Sequence, residues 1–107
     1  MQVYQAEDKR SINSHPNAAF QVQLRGNPTT GAVWSVNYDH DFVSLRMTAD
    51  GSAYEYARDS NLMGSPGIFT FTFDVQNKEG NSNLEFKYGR SWQATPWDTT
   101  TIPLFVQ

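Results

Sequence analysis

Apolar side chains recur at every second position in six separate runs, and this period of two is the tightest constraint on what the chain can fold into. Phe20, Val22 and Leu24 alternate with Gln21 and Gln23, and Trp34, Val36 and Tyr38 with Ser35 and Asn37. Val43, Leu45 and Met47 alternate with Ser44 and Arg46. The longest run sets Phe69, Phe71, Phe73 and Val75 against Thr70, Thr72 and Asp74. Leu84, Phe86 and Tyr88 follow, then Ile102, Leu104 and Val106. Successive side chains of a strand point to opposite faces, so each run reads as an antiparallel strand with one buried face. No stretch keeps the i, i+3, i+4, i+7 spacing of an amphipathic helix. Turn formers separate the runs: His15-Pro16-Asn17, Gly26-Asn27-Pro28, Asp50-Gly51, Asn77-Lys78-Glu79-Gly80 and Thr95-Pro96. With a weaker strand over residues 3–6, the pattern predicts an all-β fold: an immunoglobulin-like antiparallel β-sandwich of about seven or eight strands.

A chain of 107 residues is expected to form a single domain spanning residues 1–107. It has no cysteine, so the sandwich holds together without a disulfide, and neither a cysteine nucleophile nor a cysteine-bound zinc is available. Eight Lys and Arg against eleven Asp and Glu give a net charge of −3. That balance, with no basic cluster, argues against nucleic acid and anionic membranes as partners. The first ten residues hold no apolar signal segment. The sequence leaves the location open: periplasmic or secreted if a leader has been removed, otherwise cytoplasmic.

Seven strands that run alternately up and down place every second connection at the same end. The connections over residues 25–32, 56–67 and 89–99 then share one end. They are the longest and hold most of the Gly, Pro and loop Trp residues. Loops on a rigid scaffold are where binding concentrates. An extra hairpin at Asp50-Gly51 would upset the alternation.

Those three loops carry three motifs. The first is Asn27-Pro28-Thr29-Thr30-Gly31; the second is Leu62-Met63-Gly64-Ser65-Pro66-Gly67; the third is Tyr88-Gly89-Arg90-Ser91-Trp92. Pro28 fixes φ, Gly31 permits a positive φ, and Asn27 can bond back to its own loop. Thr29 and Thr30 are small and uncharged, suited to a narrow cleft. In order and spacing the three motifs resemble those of the chagasin family, tight-binding inhibitors of papain-like cysteine peptidases. The resemblance runs from about Phe20 to the C-terminus. It departs from the family at Ser65-Pro66, where small flexible residues are usual, and at Ser91, where proline is usual.

The resemblance implies a monomeric, cofactor-free, reversible inhibitor and not an enzyme. Thr29 and Thr30 would lie over the peptidase's catalytic Cys and His. Residues 62–67 would flank the cleft on one side, with Leu62 or Met63 near an apolar specificity pocket, and Arg90 and Trp92 would dock on the other. Trp34 reads as core, and Trp97 as packing under its own loop beside Pro96. A different class of function, a carbohydrate-binding or adhesive sandwich with exposed Trp and Tyr as stacking platforms, accounts for the aromatics but leaves residues 27–31 unexplained. His40 between Asp39 and Asp41 reads as a solvated turn, since His15 is the one other histidine and no ligand spacing is completed. Glu55, Asp59 and Asp98 are not brought together by anything in the sequence.

Overall fold

The computed structural model describes residues 1–58 and 66–107. The described residues form strands β1 (Gln2–Gln5), β2 (Ile12–Ser14), β3 (Ala19–Gly26), β4 (Ala32–Asn37), β5 (Val43–Arg46), β6 (Glu55–Arg58), β7 (Gly67–Val75), β8 (Gly80–Arg90) and β9 (Asp98–Val106), and each of the six alternating runs falls largely within one of β3, β4, β5, β7, β8 and β9. One sheet has the order β1-β3-β7-β5, with β6 also on β7; the other has the order β2-β9-β8-β4. The helical content of the described residues is two single 3-10 turns, Ala6–Asp8 and Pro28–Thr30.

Nine segments appear among the described residues where seven or eight strands are expected, because two strands are divided. The first strand leaves β3 at the turn Ala6–Asp8, where Lys9 takes a left-handed φ of 53°, and resumes on the opposite sheet. Both halves pair in parallel, β1 with β3 and β2 with β9, so the sandwich is antiparallel except at these edges. Ile12, outside every alternating run, is fully buried there.

The fourth strand is also split. β5 and β6 both run antiparallel to β7, along successive parts of the same edge. Between them Thr48 N donates to Ser52 O at 2.8 Å and Gly51 N to Thr48 O at 2.9 Å. Asp50-Gly51 thus makes a tight turn without adding a strand pair, and the alternation of strand directions is kept. Met47, expected on the inner face, is 56% exposed because the chain leaves β7 after Arg46.

β7 is the spine of the core. Its inner residues Phe69, Phe71, Phe73 and Val75 alternate with half-buried Ile68, Thr70, Thr72 and Asp74. Phe73 stacks on Phe20 of β3 with centroids 5.4 Å apart, and Phe71 meets Phe86 of the opposite sheet edge-on at 5.4 Å. Offset and edge-on pairs add roughly 0.5–1.5 kcal/mol each beyond the area they bury. Trp34 is buried, as its alternation predicts.

Register fixes which loops meet. Gly26 and Arg58 both pair with Gly67, Ala32 pairs with Arg90, and Asp98 with Tyr88. Since five residues join Gly26 to Ala32, the ends of all three motif loops gather at one end of the sandwich. Both histidines lie at the other end, in the turns that precede β3 and follow β4.

Candidate functional site

Residues 27–31 form a closed turn built by their own side chains. Asn27 stays extended at φ −128° while Pro28–Thr30 make one 3-10 turn, and Gly31 ends it at φ 84°. Asn27 Oδ1 accepts from Thr29 N at 3.1 Å and from Thr29 Oγ1 at 2.6 Å. Thr30 Oγ1 donates to Asn27 O at 2.8 Å, and Gly31 N donates to Pro28 O at 2.9 Å. Both threonine hydroxyls are engaged inside the turn, though both residues are exposed. Pro28 has no N–H that would otherwise need a partner. A positive φ is disfavoured for residues with a Cβ, and a Cβ on Gly31 would also lie 2.8 Å from Trp92 Cη2.

The turn is anchored from β8. Asn27 N donates to the Tyr88 hydroxyl at 2.9 Å, and that hydroxyl donates on to Asn27 O at 3.3 Å. Arg90 Nε donates to Thr30 O at 2.8 Å. Under the turn, Trp34 Nε1 donates to Arg25 O at 2.9 Å, and its ring packs on Tyr88 at 5.0 Å. Contacts from Trp34, Tyr88 and Arg90 therefore hold a loop that has almost no core of its own.

The loop after β8 wraps around the same arginine. The Arg90 guanidinium lies 4.7 Å from the Trp97 ring centroid and 5.7 Å from that of Trp92, within reach of cation–π attraction. Trp97 N donates to Tyr88 O at 2.7 Å, Trp97 Nε1 donates to Gln93 Oε1 at 2.9 Å, and its ring meets Tyr88 edge-on at 5.9 Å. Trp97 is thus tied to the base of its loop, but at 47% exposure it lies against the loop and is not packed under it as expected. Trp92, beside Gly31, is 69% exposed.

The structure brings together Asn27, Pro28, Thr29, Thr30, Gly31, Arg90 and Trp92. Leu62, Met63, Gly64 and Ser65, with Asp59, lie outside the described residues. Pro66 is exposed, whereas Gly67 is buried at the start of β7. A Cβ on Gly67 would lie 2.5 Å from Ala57 O, so this glycine serves the pairing of β6 with β7. Tyr88 opens the third motif, but the sequence assigned it no role: its ring belongs to an alternating strand, and nothing in that pattern says where its hydroxyl lands.

Charged groups do meet below this end, where Glu7, Lys9, Arg25 and Asp98 line one hollow beside Trp34. His40 packs tilted on Tyr38 with centroids 4.5 Å apart, and Asp39 Oδ1 accepts from Asp41 N at 2.9 Å, closing a turn. Among the described residues no three His, Asp or Glu side chains are placed to hold a metal ion. The clearest electrostatic contact lies on the outer face of the first sheet. There Arg46 bonds Asp74 through Nε at 3.1 Å and through Nη2 at 2.5 Å. This hydrogen bonding holds the Asp74 carboxyl below its ordinary range, against a smaller opposing effect of burial and with help from the Arg46 charge.

A β-sandwich that fixes an uncharged, closed loop at one end is built as a scaffold for binding. The sequence profile of the chagasin family of peptidase inhibitors, I42, matches residues 13–106, and the chain belongs to that family. Amoebiasin-2 of Entamoeba histolytica is 28% identical to it over 87 residues, 81% of this chain and 68% of that protein. Among solved structures, the cysteine protease inhibitor EhICP2 from Entamoeba histolytica superposes with a TM-score of 0.74 at 21% identity, covering 99% of this chain and 94% of that one. Amebosin gives 0.72 at 24%, covering 99% and 97%. PbICP-C, solved in complex with falcipain-2, gives 0.62 at 18%, covering 99% and 92%. These likenesses establish the shared fold.

Proposed function

We propose that this chain inhibits papain-like cysteine peptidases reversibly, by seating residues 27–31 in the active-site cleft. The loops holding residues 62–67 and Arg90 with Trp92 flank it. Membership of a peptidase-inhibitor family supports the inhibitory role. A relative of the same fold named as a cysteine protease inhibitor, and another solved with falcipain-2, support the choice of peptidase class.

The observation that carries the mechanism is the closed state of the free loop. Peptidases cut extended backbone, but Pro28–Thr30 form a 3-10 turn whose Asn27 and Pro28 carbonyls already accept internal hydrogen bonds. Such a loop enters the cleft at little cost in ordering and presents no extended bond to attack. No group of the loop has to react, so the complex is reversible. The alternative of a sugar-stacking platform is disfavoured because Arg90 lies against one face of both Trp92 and Trp97.

Replacing Thr30 by Arg tests the assignment. Inhibition of papain is expected to weaken by about tenfold or more, since a charge in a closed cleft loses its hydration. The melting temperature should change little, because the loop tip is exposed. Undiminished inhibition by a folded Thr30→Arg protein would remove the loop from the interface.

A further inference from the structure

Beside the loop end, on the outer face of the second sheet, lies a hollow of about 230 Å³. Val33 and Gly89 lie on that outer face of β4 and β8, Ala94 and Pro96 come from the loop above, and Lys87 and Arg90 bring two cations; among the described residues no carboxylate lines it, and Glu85 Oε1 lies 3.4 Å from Lys87 Nζ beside it. Pro96 packs directly over Gly89, where a Cβ would lie 3.2 Å from the proline Cα. The hollow is smaller than the ~300–1,000 Å³ of small-molecule sites, so it suits a single side chain.

It opens beside an unusual sheet edge. β1 and β2 are four and three residues long, and the β5–β6 edge is interrupted and carries the Arg46–Asp74 ion pair. Short, broken or charged edges resist pairing with other chains. β4 is six uninterrupted residues, Ala32 to Asn37, without charge or proline, and it is the last strand in its sheet order. It starts one residue after Gly31, so the edge and the hollow continue the surface that carries residues 27–31, Arg90 and Trp92.

We infer that this hollow and the start of β4 form a second contact for the inhibited peptidase, outside its cleft, receiving an apolar side chain next to a carboxylate on the cleft rim. The inference rests on the cleft-filling reading above. The apolar lining receives the side chain, while Arg90, and Lys87 exchanging its exposed pair with Glu85, attract the acid. Such a contact sets selectivity between peptidases that share the same catalytic centre, because rims vary where active sites cannot.

Inhibition constants of the wild type, Ala94→Trp and Lys87→Gln proteins against papain and falcipain-2 test it, with melting curves as controls. Ala94→Trp fills the hollow and should weaken inhibition of the more tightly bound enzyme by about tenfold or more. Lys87→Gln should weaken it by about threefold, with the difference shrinking at high salt as charges are screened. If both folded variants match the wild type against both enzymes, the second contact does not exist, while the cleft reading stands. If the wild type inhibits neither enzyme, the cleft reading fails and this inference with it. Should Ala94→Trp not fold, hydrogen exchange of the wild type in complex with papain decides: slowed β4 amides support the contact, and unchanged β4 amides overturn it.

Discussion

Arg90 donates from Nε to the carbonyl oxygen of Thr30 at 2.8 Å, joining two loops sixty residues apart in sequence. The same guanidinium lies against Trp97 and Trp92. One side chain thereby fixes the tip of the first loop, the aromatic flank of the third, and the angle between them. Arg90 works as a brace for the binding surface as well as a part of it.

Replacing Arg90 by Lys should weaken inhibition while leaving the fold intact. Lysine keeps the charge but loses the planar Nε–H and the stacked guanidinium. A hydrogen bond to a charged group contributes roughly 1.5–3 kcal/mol, so the inhibition constant for papain should rise by about ten- to a hundredfold. Equal constants for Arg90→Lys and wild type would show that the loops need no brace.

The two loop tryptophans should separate cleanly. Trp92 is 69% exposed beside Gly31, whereas the Trp97 indole and backbone are both hydrogen-bonded within the base of the loop. Truncating an aromatic hot spot typically costs ~2–4 kcal/mol. Trp92→Ala should therefore raise the inhibition constant roughly 30- to 1,000-fold with a nearly unchanged melting temperature. Trp97→Ala should instead lower the melting temperature and affect inhibition much less. The reverse pattern would mean that the wrong tryptophan faces the peptidase.

The sandwich was legible in the sequence because alternation and burial are the same fact seen twice: Phe69, Phe71 and Phe73 are fully buried, and their neighbours are not. The loop end was legible because strand direction follows from counting. The parallel edges β1 and β2 were not, since a four- and a three-residue strand carry too few positions to show a period. The divided fourth strand was also hidden. Met47 continues the alternation, and only the Thr48–Ser52 turn takes it off the sheet. The hydroxyl of Tyr88 on Asn27 joins residues 61 apart, and no local pattern encodes a tertiary contact of that kind. Gly67 read as part of a binding motif, yet its missing Cβ serves the approach of Ala57.

Acid should loosen the edge strand β5. The carboxyls of Asp74 and Asp50 are both held below the ordinary value of 3.8, Asp74 first by its hydrogen bonds from Arg46, Asp50 first by that from the Thr48 hydroxyl and then by those from Ser52. A lowered folded-state value means the stabilisation is present in full above the unfolded value and is lost as pH falls toward and through the folded one. Melting temperature should be flat between about pH 5 and 7 with respect to these groups and fall below about pH 4. Asp74→Asn should flatten part of that fall and lower stability slightly at neutral pH, because exposed ion pairs contribute about 0–1 kcal/mol. An Asp74→Asn protein with an acid profile identical to wild type would show that the Arg46 contact is not maintained in solution.

The central claim is that a preformed, uncleaved loop blocks a papain-like active site. The most direct test is to titrate the protein into papain, at an enzyme concentration well above the inhibition constant, with a fluorogenic peptide as reporter. Turnover should fall linearly and reach its floor at one inhibitor per enzyme. After long incubation, mass spectrometry should find the chain intact and displaceable in active form. Turnover that persists at excess inhibitor, or that returns as cleavage products within residues 27–31 accumulate, would contradict the account.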